Sequence, residues 1–314
     1  MSSELRLHAE PANIDASIVI TTRNRRDDTL RAVESCLAQQ GCKFEVLVFD
    51  DASDDGTAEA LRQAAPSVRI FANKLRTGYI YNRNRGFYEA LGSIVFSIDD
   101  DAYFSAPDIV TRVLQHFRED TKLGAVAIPY VEPLNQRSVS SLNTRFHLRS
   151  GDELRAYVGC AHAIRRETAL SLGGYREYFI HQGEERDLCL RMMATGRRIV
   201  YGDSDYIVHT VSPKRQAERV TYFGARNLLL FNLLNLPMRD LLIRLLWDPI
   251  AILKYRFSWS TLPVKLRGIG AGFVDGVRHW RDRHAVSRAI YARFRKLPGH
   301  GPEEWDQEIP PPCR

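Results

Sequence analysis

Short apolar runs rich in β-branched and aromatic residues alternate with helical patterns over the first hundred residues, and few architectures accept that order. The runs are "ASIVITT", "FEVLVFDD", "SVRIFAN" and "SIVFSIDDD". The first two are close to continuously apolar, as strands buried on both faces are. Between the first two, Leu30, Val33 and Leu37 recur at helical spacing and Gly41 closes the pattern. "ASDDGTAEALRQAA" predicts a second helix, with Ser53 or Asp54 as N-cap and Pro66 beyond its end. "YNRNRGFYEALG" predicts a third, ending at Gly92. Strand and helix joined by a few residues give an α/β class with a mostly parallel sheet. Right-handed crossovers then place ligands at the carboxyl ends of the strands. Those ends carry Thr21-Thr22-Arg23-Asn24, Asp50-Asp51, Arg76-Thr77-Gly78 and Asp99-Asp100-Asp101.

The last of these is the most demanding. Three adjacent carboxylates repel one another unless something positive sits between them. At the end of a strand they suit a hard divalent cation, Mg²⁺ or Mn²⁺, shared with the phosphates of a substrate. A solvated acidic turn, one Asp capping the helix that begins near Pro107, is the plainer alternative. Arg83 precedes the strand on the same edge and can pair with a diphosphate or with the Asp cluster. Asp50 is positioned to accept from a base N–H, and Thr21 to present its hydroxyl or backbone to the same ring.

Taken in order, "SIVITTRNR", "FEVLVFDDASDDGT", "RTGYIYNRNRG", "SIDDDAYF", "GGYREYFIHQGEERDLCLRM" and "IVH" resemble a family 2 glycosyltransferase with the GT-A fold, over residues 16–212. The resemblance implies a metal-dependent, inverting transfer of a sugar from a nucleotide-sugar donor. By position it implies that Thr21, Arg23 and Asp50 surround the base and that Arg83 faces the nucleotide. Asp99 and Asp101 match the ends of the DxD motif: Asp99 faces ribose and metal, Asp101 ligates the metal, and Asp100 fills the variable position on the nucleotide side. His209 matches a histidine that approaches the metal or diphosphate. Glu185 matches the catalytic base of the ED motif, with Glu184 beside it. Both also sit where a helix dipole favours negative charge, so simple capping is the competing role. Asp187 is expected to be structural or to face the acceptor. "VGCAHAIRRE" matches the segment that shapes the donor-sugar and acceptor pocket, which makes Gly159 and Cys160 candidates, whereas His162 and His181 carry no such match. Arg23 stands where the family often has an aromatic residue, and Arg76 where it often has Asn.

Composition divides the chain. Residues 213–314 hold 18 Lys/Arg against 9 Asp/Glu and all four tryptophans, while the remainder holds 26 against 29. This sets expected boundaries: an extension at 1–15, a catalytic domain at 16–212, a basic helical region at 213–297 and a tail at 298–314. In the helical region, charges at Arg239, Asp240, Arg244 and Asp248 interrupt the apolar stretches before any reaches the roughly 20 residues of a membrane span. Amphipathic helices remain. They predict packing on the catalytic domain or peripheral attachment of 219–296 to an anionic membrane. Five cysteines without paired spacing read as reduced thiols, with no zinc pattern. No secretory signal opens the sequence. The expected location is cytoplasmic, at the inner face of the membrane.

The expected activity is transfer from a UDP- or dTDP-sugar to a hydroxyl of a saccharide or lipid-linked acceptor, in cell-surface polysaccharide or glycolipid synthesis. A nucleotidyltransferase would need a glycine-rich loop after the first strand, and "TTRNRRDDT" has no glycine. An aspartyl-phosphate phosphatase would need DxD at the end of that strand. No nucleic-acid-binding module is present. A catalytically inactive, membrane-associated scaffold with the same fold is the alternative from another class.

Overall fold

The computed structural model describes residues 14–135, 148–210 and 217–300. The expected alternation opens it: β1 (Ala16–Thr22), α1 (Arg26–Leu37), β2 (Phe44–Asp50), α2 (Thr57–Ala64), β3 (Arg69–Ala72), α3 (Tyr79–Glu89) and β4 (Ile94–Asp99). These four strands pair in parallel. After β5 (Ala102–Phe104), α4 (Ile109–Glu119), β6 (Leu123–Ala127) and β7 (Tyr130–Val131), the chain returns as β8 (His162–Arg165), antiparallel to both β4 and β6. Then come α5 (Arg166–Ser171), α6 (Glu184–Ala194), β9 (Arg198–Tyr201) and β10 (Ile207–His209). The main sheet has the order β3-β2-β1-β4-β8-β6-β9, and β5-β10-β7 form a small second sheet.

Alternate residues of the parallel strands point into two separate cores, which is why the runs read as continuously apolar. Ile18, Ile20, Val46 and Val48 pack with α1, α2 and α4 on one face. Val19, Leu47 and Phe49 share the other core with residues from α3 and α6.

The second helix corrects one expectation. It begins at Thr57, behind Gly56 at φ 81°, not at Ser53 or Asp54. Those two are drawn to a distant partner instead: Asn24 N donates to Ser53 Oγ (2.9 Å) and Asp54 N donates to Asn24 Oδ1 (2.9 Å). The turn after β2 is thereby stitched to the turn after β1.

Four helices follow: α7 (Ala217–Asn235), α8 (Met238–Lys254), α9 (Leu262–Arg278) and α10 (Arg288–Lys296). Leu230, Phe231 and Leu234 of α7 and Phe294 of α10 lie in the same core as Val19 and Leu47, so these helices close one face of the main sheet. α9 lies on α7 along Gly268, Gly272 and Gly276. A Cβ at Gly268 would come within 2.6 Å of the Tyr222 carbonyl, and one at Gly276 would collide with Leu233. The outer faces of α8 and α9 bury little: Leu242, Leu246, Trp247, Ile250 and Val277 are exposed, as is Trp259 between the helices.

Candidate active site

Register brings the strand ends together. Thr21 pairs with Asp99, and Thr22 with Asp50. Arg23 follows, exposed to solvent. The Asp50 carboxylate is buried and accepts from Ser53 N (2.9 Å). Its neighbour Asp51, which sequence reasoning passed over, holds the loop that leads into α3. It accepts from Thr77 N (2.7 Å), Thr77 Oγ1 (2.8 Å) and Gly78 N (2.9 Å). Burial pushes its carboxyl up, but these donors outweigh burial and hold it below the usual range.

The three aspartates find their positive partners within the protein. Arg83 Nη2 donates to Asp99 Oδ1 (2.7 Å), and Arg25 Nη1 donates to Asp101 Oδ2 (2.8 Å) while lying 3.4 Å from Asp100 Oδ1. Each end of the motif thus has one oxygen fixed by a guanidinium. The other oxygens turn inward to one imidazole: Asp101 Oδ1 lies 3.2 Å, and Asp99 Oδ2 3.8 Å, from His209 Nε2. His209 is set there by β10, which pairs it with Ala102, and its Nδ1 is 3.2 Å from Glu132. Burial opposes charge on this imidazole, yet Cys160, Asp101 and Glu132 outweigh it and raise its pKa. Burial likewise pushes Asp101 up, but His209 and Arg25 prevail and hold it at about 2. Asp100 points elsewhere, to Arg25 and Thr22. Burial first, then its two Asp neighbours, raise it to about 7 against the pull of Arg25.

Arg83 links this cluster to the second acidic block. It is buried, lies over the Tyr79 ring (4.8 Å), and its Nη1 is 3.4 Å from both Glu184 Oε1 and Glu185 Oε1. The two glutamates begin α6, as their sequence context predicts, but differ in access. The Glu184 side chain is 0% exposed and its Oε2 has no hydrogen-bond partner, whereas that of Glu185 is 17% exposed. Burial, then the charge of Glu185, raise Glu184 well above the usual carboxylate range, with Arg83 opposing. Gly159 faces this group: a Cβ there would collide with Glu185 Oε1 and lie 3.0 Å from both terminal nitrogens of Arg83. Gly159→Ala is therefore expected to destabilise the fold by about 1–3 kcal/mol through overpacking, read as a lower urea midpoint with an unchanged m-value.

The loop before α6 is braced by α7. Ile180 and Gln182 have φ of 64° and 69°, unusual for residues with a Cβ. Asn227 Nδ2 donates to the carbonyls of Phe179 (2.9 Å), His181 (2.8 Å) and Gln182 (2.7 Å). Asp187 is structural: it accepts from Arg176 (2.8 Å), Arg191 (2.8 Å) and Asn235 (2.8 Å). His162 is buried, with Nε2 3.0 Å from Tyr175 Oη, and His181 packs edge-on to Tyr79. Sequence reasoning missed Arg25, Asp51 and Glu132. The only signal for Arg25 was the basic run "RNRR", which does not distinguish its members.

Residues 17–171 match the family described as glycosyl transferase family 2. The succinoglycan biosynthesis protein ExoO of Rhizobium meliloti is 35% identical over 116 residues, which are 36% of this chain and 32% of that protein. The undecaprenyl-phosphate 4-deoxy-4-formamido-L-arabinose transferase of Pectobacterium carotovorum is 27% identical over 252 residues, 76% of this chain and 70% of that one. Four curated relatives more than 30% identical are spanned over only 15% to 63% of their lengths. Among solved structures, the mannosyltransferase PcManGT of Pyrobaculum calidifontis, in complex with GDP-Man and Mn²⁺, shares the fold. Its TM-score is 0.57 at 20% identity, over 90% of this chain and 79% of that one. The matched segment and the shared architecture agree: residues 17–171 are a glycosyltransferase family 2 segment, and the chain has the GT-A fold.

Proposed function

We propose that the protein transfers a sugar, with inversion, from a nucleoside diphosphate sugar to a hydroxyl of a saccharide or lipid-linked acceptor. The observation that carries this reading is the inward turn of Asp99 Oδ2 and Asp101 Oδ1 onto His209 Nε2, one guanidinium away from Glu185. Two carboxylate oxygens and an imidazole nitrogen, each backed by a fixed partner, suit Mg²⁺ or Mn²⁺. Asp99, Asp101 and His209 are the residues that would hold the ion. When bound, it supplies neutralising charge to the departing diphosphate.

The protein's own groups do the rest. Thr21 and Arg23 flank the base, with Asp50 behind them, and Arg83 orients Asp99 toward the ribose. The Glu185 carboxylate takes the proton from the acceptor hydroxyl as that oxygen attacks the anomeric carbon opposite the leaving group. Glu184 does not suit this step, because its carboxyl is enclosed and out of reach of an acceptor hydroxyl. UDP or dTDP remains the preferred base on the sequence resemblance. Titration calorimetry with UDP, dTDP and GDP tests the reading. One nucleotide is expected to bind with Mn²⁺, to lose at least about tenfold in affinity in EDTA, and to bind no better with Mn²⁺ in Asp101→Asn. Equal binding with and without metal, or no binding at all, would overturn it and favour the scaffold alternative.

The outer faces of α8 and α9 support attachment to an anionic membrane. No described helix is long and apolar enough to cross one. Leu242, Leu246 and Ile250 recur every fourth residue of α8, and Trp247 and Trp259 are 60% and 79% exposed. Arg239, Lys254, Arg256 and Arg278 are exposed on the same helices and their connection. A Leu or Trp entering the interface contributes about 1.5–3 kcal/mol, so Leu246→Ser with Trp247→Ser is expected to weaken vesicle co-sedimentation at least tenfold. Equal co-sedimentation of wild type with anionic and neutral vesicles would refute the charge component.

A further inference from the structure

The geometry points to Cys160 as a further ligand at this centre, making it a mixed carboxylate, imidazole and thiolate site that prefers thiophilic divalent ions to Mg²⁺. This rests on the metal-site reading above and assigns a residue that reading does not use.

Three observations carry it. First, β8 runs antiparallel to β4, with Ser97 opposite His162. The turn that leads into β8, closed by Ala161 N donating to the Val158 carbonyl (3.2 Å), carries Cys160 beside the end of β4. Second, Cys160 Sγ, a carboxylate oxygen of Asp99 and a ring nitrogen of His209 all lie within 4.8 Å of one another. Third, the backbone beside Cys160 is fixed: the Gly159 carbonyl accepts from Arg83 Nη2 (3.1 Å) and the Ala161 carbonyl from Ile128 N (3.0 Å). Both the segment bearing the sulfur and the Asp99 carboxylate are therefore held by the same arginine. A packing role alone would account for the burial of Cys160, but not for its convergence with the inward donors of Asp99 and His209. Oxygen donors select hard ions, and a sulfur donor shifts selection toward softer ones. On coordination the thiol proton leaves to solvent and the sulfur lone pair forms the bond to the ion.

The test uses the full chain with UDP present, titrated with Co²⁺, Cd²⁺ and Mg²⁺. Wild type is expected to show a thiolate-to-cobalt charge-transfer band in the near ultraviolet. Cys160→Ser should lack the band and bind Cd²⁺ at least tenfold more weakly, with Mg²⁺ affinity changed less than about twofold. Cys160→Ala serves as a second variant, and circular dichroism checks the fold of both. Co²⁺ binding without the band, or a band and Cd²⁺ affinity that survive in the variants, would overturn the assignment of Cys160 and leave Asp99, Asp101 and His209 as the site. Failure of wild type to bind any of the three ions would overturn both readings.

Discussion

Glu185→Gln is expected to lower sugar transfer by about 10²–10⁴, the range for loss of a positioned general base, with nucleotide affinity within about twofold of wild type. The amide keeps the shape of the side chain beside Gly159 and Arg83, so the loss belongs to kcat. Glu184→Gln is the matched comparison. Its carboxyl is enclosed, and burial raises its pKa, so an amide there is expected to cost less than tenfold. Steady-state turnover of the donor identified by calorimetry, with product release measured for both variants, separates the two. An inactive Glu184→Gln beside an active Glu185→Gln would transfer the role of base to Glu184.

Arg83→Met is expected to give the largest loss of stability. Its guanidinium serves Asp99, Glu184 and Glu185 at once. Removing one partner of a buried ion pair typically costs about 3–5 kcal/mol, because the remaining charge is left uncompensated. The sign with pH follows from Glu184. Burial raises its pKa and Arg83 opposes that rise, so the variant holds the Glu184 proton still more tightly. The unfolded chain releases that proton near the ordinary value of 4.5. Both folded forms hold the proton above that value, so the variant's deficit stays level at low pH and widens only where pH passes the wild type's own raised value, above which Arg83 lets Glu184 ionise. Urea denaturation at pH 4 and pH 7.5 reads both. A loss of less than 1 kcal/mol at pH 7.5, or a larger deficit at pH 4, would contradict this account of the cluster.

The parts of this fold that were legible in sequence are those governed by local pattern. Continuously apolar runs reported strands buried on both faces, and the acidic start of α6 reported a helix N-terminus. The order of the polar clusters reported a common edge. What could not be read depends on partners far along the chain. Ser53 and Asp54 have the chemistry of N-caps, yet Asn24 claims them across about 30 positions. Arg25 is one of three arginines in "RNRR", and only the turn at Asn24, with φ 54°, accompanies its arrival at Asp101. Asp50 and Asp51 are identical neighbours, and the difference between them lies in where the 73–78 loop returns. Glu184 and Glu185 differ only in helix register, which leaves one enclosed and the other accessible.

The brace that α7 applies to the start of α6 also sets an order of events at the ribosome. Asn235 reaches back 48 residues to Asp187, and Asn227 reaches back 45 to Gln182. At roughly 5–20 residues per second, the strands and loops of the N-terminal half are synthesised some seconds before the side chains that hold the Ile180–Gln182 backbone exist. A nascent chain halted within that interval contains both glutamates but not the asparagines that fix the loop leading to them. The brace on the loop before α6 therefore waits on a helix that lies outside the matched family segment.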